Sequence, residues 1–189
     1  MRGFLIAVIC CSLATATAGA GSSDEQLSLS RDSSGDLLAT LHTAGDAVVA
    51  FDYVKDGCYF SPNHSEPCFS FTAVNGTAPV AIQGCVSNAD AKLGIAGQVG
   101  CKAADFKGVK LVAIGGGTIN LYGGNGHHND CSPLPVSVAM HGNTWHVAAW
   151  DGCTETIACP DGIGQVDADP SDALSSKCDP AFVTRHGAQ

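Results

Sequence analysis

The sequence predicts an all-β fold: an antiparallel β-sandwich of about 8–10 strands built from hairpins and stapled by disulfides. Three observations lead there. Short segments alternate apolar and polar residues and are separated by Gly- and Asn-containing turns. No 15-residue stretch carries a 3.6-residue apolar period, which argues against long helices and a doubly wound fold. Cysteines are frequent, and an N-terminal leader reads as an export signal, so they read as bridges. A chain of 189 residues with 45% hydrophobic and 14% charged residues suits one domain with a real core.

Residues 1–20 read as a cleaved signal peptide. Arg2 supplies the positive start, the run from Phe4 to Leu13 is apolar but too short to span a membrane, and Ala16-Thr17-Ala18 and Ala18-Gly19-Ala20 offer small-residue cleavage sites. Residues 21–189 then form a single disulfide-rich β domain. The first strand, at Leu27–Arg31, alternates and returns through Asp32-Ser33-Ser34-Gly35. With Ala44-Gly45-Asp46 as a loop, Leu41 faces Val49 and Ala39 faces Phe51. With Asn75-Gly76 as a type I′ turn, Val74 pairs with Thr77, and Phe69, Phe71, Ala73, Ala78, Val80 and Ile82 share one face. Pro79 then belongs at an edge.

Two further hairpins are expected. One turns at Gly115-Gly116-Gly117, setting Leu111 against Leu121. The other turns at Gly142-Asn143, setting Val138 against Val147 and Met140 against Trp145, with His141 and His146 diagonal on its polar face. The inward set predicted from these registers is Phe69, Phe71, Leu111, Val138, Trp145 and Val147. Short helical turns are expected at 88–93 and 170–175. The tail from Cys159 reads as loop tied down by Cys178, and the ends, 20–26 and 182–189, as frayed. No internal repeat is visible; Asp56-Gly57-Cys58 and Asp151-Gly152-Cys153 echo one another after strands.

Cys10 and Cys11 leave with the signal, and Cys58, Cys68, Cys85, Cys101, Cys131, Cys153, Cys159 and Cys178 remain. The even number predicts up to four disulfides, with the connectivity left open. No Cys-x2-Cys exists, and an oxidising compartment removes the thiolates that zinc requires. Asn63-His64-Ser65 and Asn75-Gly76-Thr77 are glycosylation sequons, the second on a predicted turn.

The candidate binding loop runs from Tyr122 through Asn125, His127, His128 and Asp130. Its adjacent histidines diverge on most backbones, so they are not spaced to ligate one ion, and no metal or cofactor is expected. Trp150 is either a stacking platform for a sugar ring, with Tyr122 as a second, or a residue packed on the Cys153 bridge. Glu66 and Glu155 read as surface residues. No serine-hydrolase elbow and no His-Glu-x-x-His occurs. A net charge of −9 disfavours a nucleic-acid or anionic-membrane partner, and no membrane anchor is expected.

The segment from Cys159-Pro160-Asp161-Gly162 to Cys178-Asp179-Pro180 faintly resembles the end of an invertebrate-type chitin-binding module, with a longer spacing and without that module's aromatics. As a whole, leader, eight cysteines, acidity and lack of a catalytic motif resemble in type the small secreted cysteine-rich proteins of filamentous fungi. That likeness implies an extracellular host-interaction or effector protein acting by binding, with an extracellular protein or glycan as partner. A carbohydrate-binding module or lectin is the alternative, and a small secreted hydrolase a further one.

Overall fold

The computed structural model describes residues 26–43, 47–57, 66–76, 78–83, 85, 98–122, 131–161 and 164–187. In chain order the strands are β1 (Gln26–Arg31), β2 (Leu37–His42), β3 (Ala47–Val54), β4 (Cys68–Asn75), β5 (Ala78–Pro79), β6 (Ala81–Gln83) and β7 (Gln98–Lys102). They continue with β8 (Val109–Tyr122), β9 (Val136–Ala149), β10 (Glu155–Ala158), β11 (Gln165–Ala168), β12 (Ala173–Leu174) and β13 (Val183–Arg185). Two 3-10 turns, Ala103–Asp105 and Pro180–Phe182, are the only helical pieces among the described residues. The chain is therefore all-β, as expected.

The two longest strands, β8 and β9, organise the rest. They lie parallel along most of their length, from Val109 beside Val136 to Asn120 beside Ala148, with a register shift between Ile114 and Gly116. Each is bent near its middle, so it contributes to two limbs. The first limb runs β6-β1-β2-β8-β9-β10-β12. The second runs β7-β4-β3-β8-β9-β11-β13. On one side of β8, β2 and β3 pair in parallel with its two halves in turn. On the far side of β9, β10 and β11 do the same, followed by β12 and β13. Successive passes of the chain thus stack as parallel rungs, about 4.8 Å apart.

The stacking puts like residues over like. In the first limb Ala39, Leu111, Val138 and Ile157 form one inward column; in the second, Val49, Ile119, Val147, Val166 and Val183 form another. Inward residues of both limbs belong to one core cluster. Trp145 is buried there, and its indole N–H donates to the His141 carbonyl at 3.0 Å, so its one polar atom is not orphaned. Phe51, Phe69, Phe71 and Tyr53 pack by tilted ring contacts across β3 and β4, with centroids 5.2–5.8 Å apart. All six residues predicted to point inward do so.

Three of the expected hairpins do not form. The β2 and β3 strands pair with β8, not with each other. The Gly115–Gly117 and Gly142-Asn143 segments are bends inside β8 and β9, not turns between strands. The reason is that alternation reports which side of a strand faces the core, and says nothing about which strand lies beside it. Glycine is needed at these bends nonetheless. Gly115, Gly117 and Gly142 have φ of 110°, 144° and 108°, and a Cβ on each would collide with the carbonyl oxygen of Thr43, Ala47 and Gly115 respectively.

The β1–β2 hairpin forms as expected. So does a β4–β5 hairpin, but Asn75 pairs with Ala78 and Val74 with Pro79. This is a shift of two residues from the expected register, which preserves which side faces in, so Phe71, Ala73 and Val80 stay buried. The chain then leaves the hairpin, and β6 pairs with β1 in parallel. Residues 170–175 form a turn and β12 rather than a helical turn, and β13 is a paired strand within what read as a frayed end. The expected helical turn at 88–93 lies outside the described residues.

Disulfides join Cys85 to Cys101, Cys131 to Cys153 and Cys159 to Cys178. Cys68 is disulfide-bonded as well, while Cys58 lies outside the described residues. The 131–153 bridge ties the approach to β9 to the approach to β10; the 159–178 bridge ties the ends of β10 and β12. Neighbouring rungs are cross-linked where their strands are shortest.

Candidate functional site

Two groups of polar residues stand out, and both arise from the rung register. The first is on the outer face of the second limb. There Thr118, His146 and Gln165 lie side by side, and next to them Asn120, Ala148, Asp167 and Thr184. His146 Nε2 lies 2.8 Å from Asp167 Oδ2. His186 is held by its backbone N–H, which donates to the Ala168 carbonyl at 3.0 Å. Its Nε2 comes within 3.5 Å of Asp167 Oδ1, an ion-pair distance that leaves Nε2 without a hydrogen-bond partner. Trp150 stacks on the His186 ring, centroids 4.3 Å apart and planes 17° from parallel, and remains 44% exposed.

Desolvation pushes the Asp167 pKa up, but the hydrogen bond with His146 and the close approach of the His186 imidazole outweigh it and hold the carboxyl below its usual value. Trp150, His186, Asp167 and His146 thus form one continuous patch of an aromatic ring, two imidazoles and a carboxylate. Trp150 packs on His186 and is not enclosed. His141 and His146 do not face each other across a hairpin: Gly142 puts them on different limbs, and His141 Nδ1 lies 3.7 Å from Asp161 instead.

The second group is buried. Asp151, Glu155, Asp169 and Asp172 are 4–6% exposed. Asp169 Oδ2 accepts from the backbone N–H of Asp151 and Gly152 at 2.9 and 2.6 Å, and Asp151 Oδ1 accepts from that of Cys153 at 2.9 Å. Asp172 accepts from the N–H of Glu155 and of Asp169, both at 2.8 Å. These bonds fold the turn before β10 against the turn before β12. Burial, with the neighbouring carboxylates adding to it, raises Asp151 to about 6 and Glu155 to about 9. Glu155 lies within hydrogen-bonding reach of Asp172, which requires a proton on one of the two, and its Oε2 has no hydrogen-bond partner.

Glu155 is therefore not the surface residue its place in a short Cys-to-Cys loop suggested. It occupies the inward column below Leu37, Val109 and Val136. The sequence carried no local signal for this group, because Asp151 and Glu155 meet Asp169 and Asp172 only once β10 and β12 are stacked. Carboxyls with raised pKa values are a mark of acid catalysis, but these are too enclosed to touch a substrate.

Of the residues read as a binding loop, Tyr122 ends β8, and Asn125, His127, His128 and Asp130 lie outside the described residues. Of the two sequons, Asn75 closes β4 beside the exposed Gly76, and Asn63 lies outside the described residues. No helix among the described residues is long and apolar enough to cross a membrane. Comparison with family models, with characterised proteins and with solved structures finds no match to this chain.

Proposed function

We propose that this is a secreted binding protein that recognises a glycan on an extracellular surface through the outer face of its second limb. Trp150 is the observation that carries the reading. A large aromatic ring left 44% exposed, and held in place by a stacked imidazole, is a pre-oriented apolar surface. Sugar rings present an apolar C–H face to such a surface and hydroxyls around its rim. Asp167, His146, Gln165 and Asn120 supply acceptors and donors at rung spacing beside it. The disulfides are compatible with an extracellular or otherwise non-cytoplasmic location. In this reading residues 1–20 are removed on export, Asn75 is glycosylated at its turn, and the host-interaction role is exercised by docking on a decorated surface.

A glycan array and sedimentation with insoluble polysaccharides test the reading. The protein should bind a defined subset of glycans. Trp150→Ala should weaken that binding by at least about tenfold, as loss of an interface tryptophan does, while leaving the thermal midpoint within about a degree or two. Binding to no glycan, or binding indifferent to Trp150, overturns it. In that case a protein partner takes the glycan's place.

A further inference from the structure

We propose that the cluster of Asp151, Glu155, Asp169 and Asp172 is a calcium site. Four carboxylates from two chain segments converge away from solvent. Among the described residues, backbone amides take one oxygen of Asp151, one of Asp169 and both of Asp172, and none donates to Glu155, whose side chain meets that of Asp172. Glu155 Oε2 is fully enclosed and has no partner. It belongs to a group in which ligand atoms of Asp151, Cys153 and Glu155 all lie within 4.8 Å of one another.

Cys153 is bonded to Cys131, so it has no thiolate to offer, and the donors that remain are oxygens. No Lys or Arg side chain among the described residues forms an ion pair with the four carboxylates. The nearby Arg185 guanidinium donates instead to the backbone carbonyls of Asp169 and Asp172. An ionised carboxylate in the column of Leu37, Val109 and Val136 is costly, so Glu155 either holds a proton against Asp172 or meets a cation that displaces it.

Hard oxygen donors exclude a soft-metal preference. Several buried carboxylates favour calcium, which takes many oxygen ligands in flexible geometry, over magnesium, which keeps most of its waters. The cation would join the turn before β10 to the turn before β12, beside the 131–153 bridge, and so lock the last rung.

The test is calorimetric titration of the EDTA-treated full chain with calcium chloride, with the thermal midpoint followed in parallel. Binding is expected with Kd of about 10⁻⁴–10⁻³ M, the range of extracellular modules. The midpoint should rise by about 3–6 °C at calcium near ten times Kd, with no comparable response to magnesium chloride. Glu155→Gln keeps the shape and removes a charged ligand. It should weaken calcium binding by at least about tenfold while leaving the midpoint in EDTA unchanged or higher. If that variant does not fold, Asp151→Asn replaces it with the same expected outcomes. Asp167→Asn, outside the cluster, should keep the full response. No heat and no midpoint change at about 10 mM calcium overturns the site, as does a full response in Glu155→Gln. An equal response to magnesium overturns the assignment to calcium.

Discussion

Asp167 shows how one side chain on a rung can tie several elements together. It sits on β11, accepts from His146 on β9, and draws in His186 beyond β13. Because its pKa is lowered on folding, its contribution is present above the unfolded value of 3.8 and is lost as pH falls through the depressed folded value. Asp167→Asn should therefore cost about 0.5–1 kcal/mol near pH 6, as a partly exposed ion pair does. That difference should be smaller near pH 2, as the wild-type carboxylate takes up protons. Urea denaturation of both proteins at the two pH values checks this, and an undiminished difference in acid would refute it. The same residue positions the His186 ring under Trp150, so the variant should also weaken any glycan binding that depends on Trp150.

At the scale of the strand, glycine sets where each rung bends. Gly117 combines φ of 144° with a backbone oxygen of Ala47 where a Cβ would go, and the Trp145 ring 3.1 Å from that position. Gly76, in the β4–β5 turn, has φ of 54° and open space around it. Gly76→Ala should cost only the conformational penalty of the left-handed region, about 1–2 kcal/mol. Gly117→Ala adds collision with unyielding backbone, and should cost about 3 kcal/mol or more. Equal midpoints for the two variants would show that the β8 bend relaxes freely. The hairpin expectation for 111–121 went astray at this same feature. Three glycines mark a departure from extended chain, but a tight reversal and a corner in a continuing strand draw on the same conformational freedom.

For the whole molecule, parallel rungs make stability graded. Each rung touches only its neighbours, so the last one, β12 with β13, is held on a single side. The Cys159–Cys178 bridge compensates by cross-linking it to the rung before. Non-reducing peptide mapping should recover the 85–101, 131–153 and 159–178 pairs. Replacing Cys159 and Cys178 together by Ser should cost about 2–5 kcal/mol. Amide exchange in the double variant should accelerate first in residues 165–185, while β8 stays protected. Uniform acceleration across the chain would mean that the stack opens as a single unit and that the rungs are not separable.

The sequence alone determined the all-β class, the use of cysteine as cross-link, and the inward set of Phe69, Phe71, Leu111, Val138, Trp145 and Val147. These follow from alternation and composition, which act residue by residue along the chain. Trp150 was visible as a platform candidate for the same reason, since an aromatic at a strand end beside Asp-Gly is a local fact. Tertiary packing set β8 and β9 parallel, because pairing between distant strands depends on which inward columns fill one core together. It alone placed Glu155 inside, against Asp151, Asp169 and Asp172, and His186 beneath Trp150. Apart from Asp151 with Glu155, those contacts join residues from different rungs, and the chain carries no local mark of what a neighbouring rung will bring beside it.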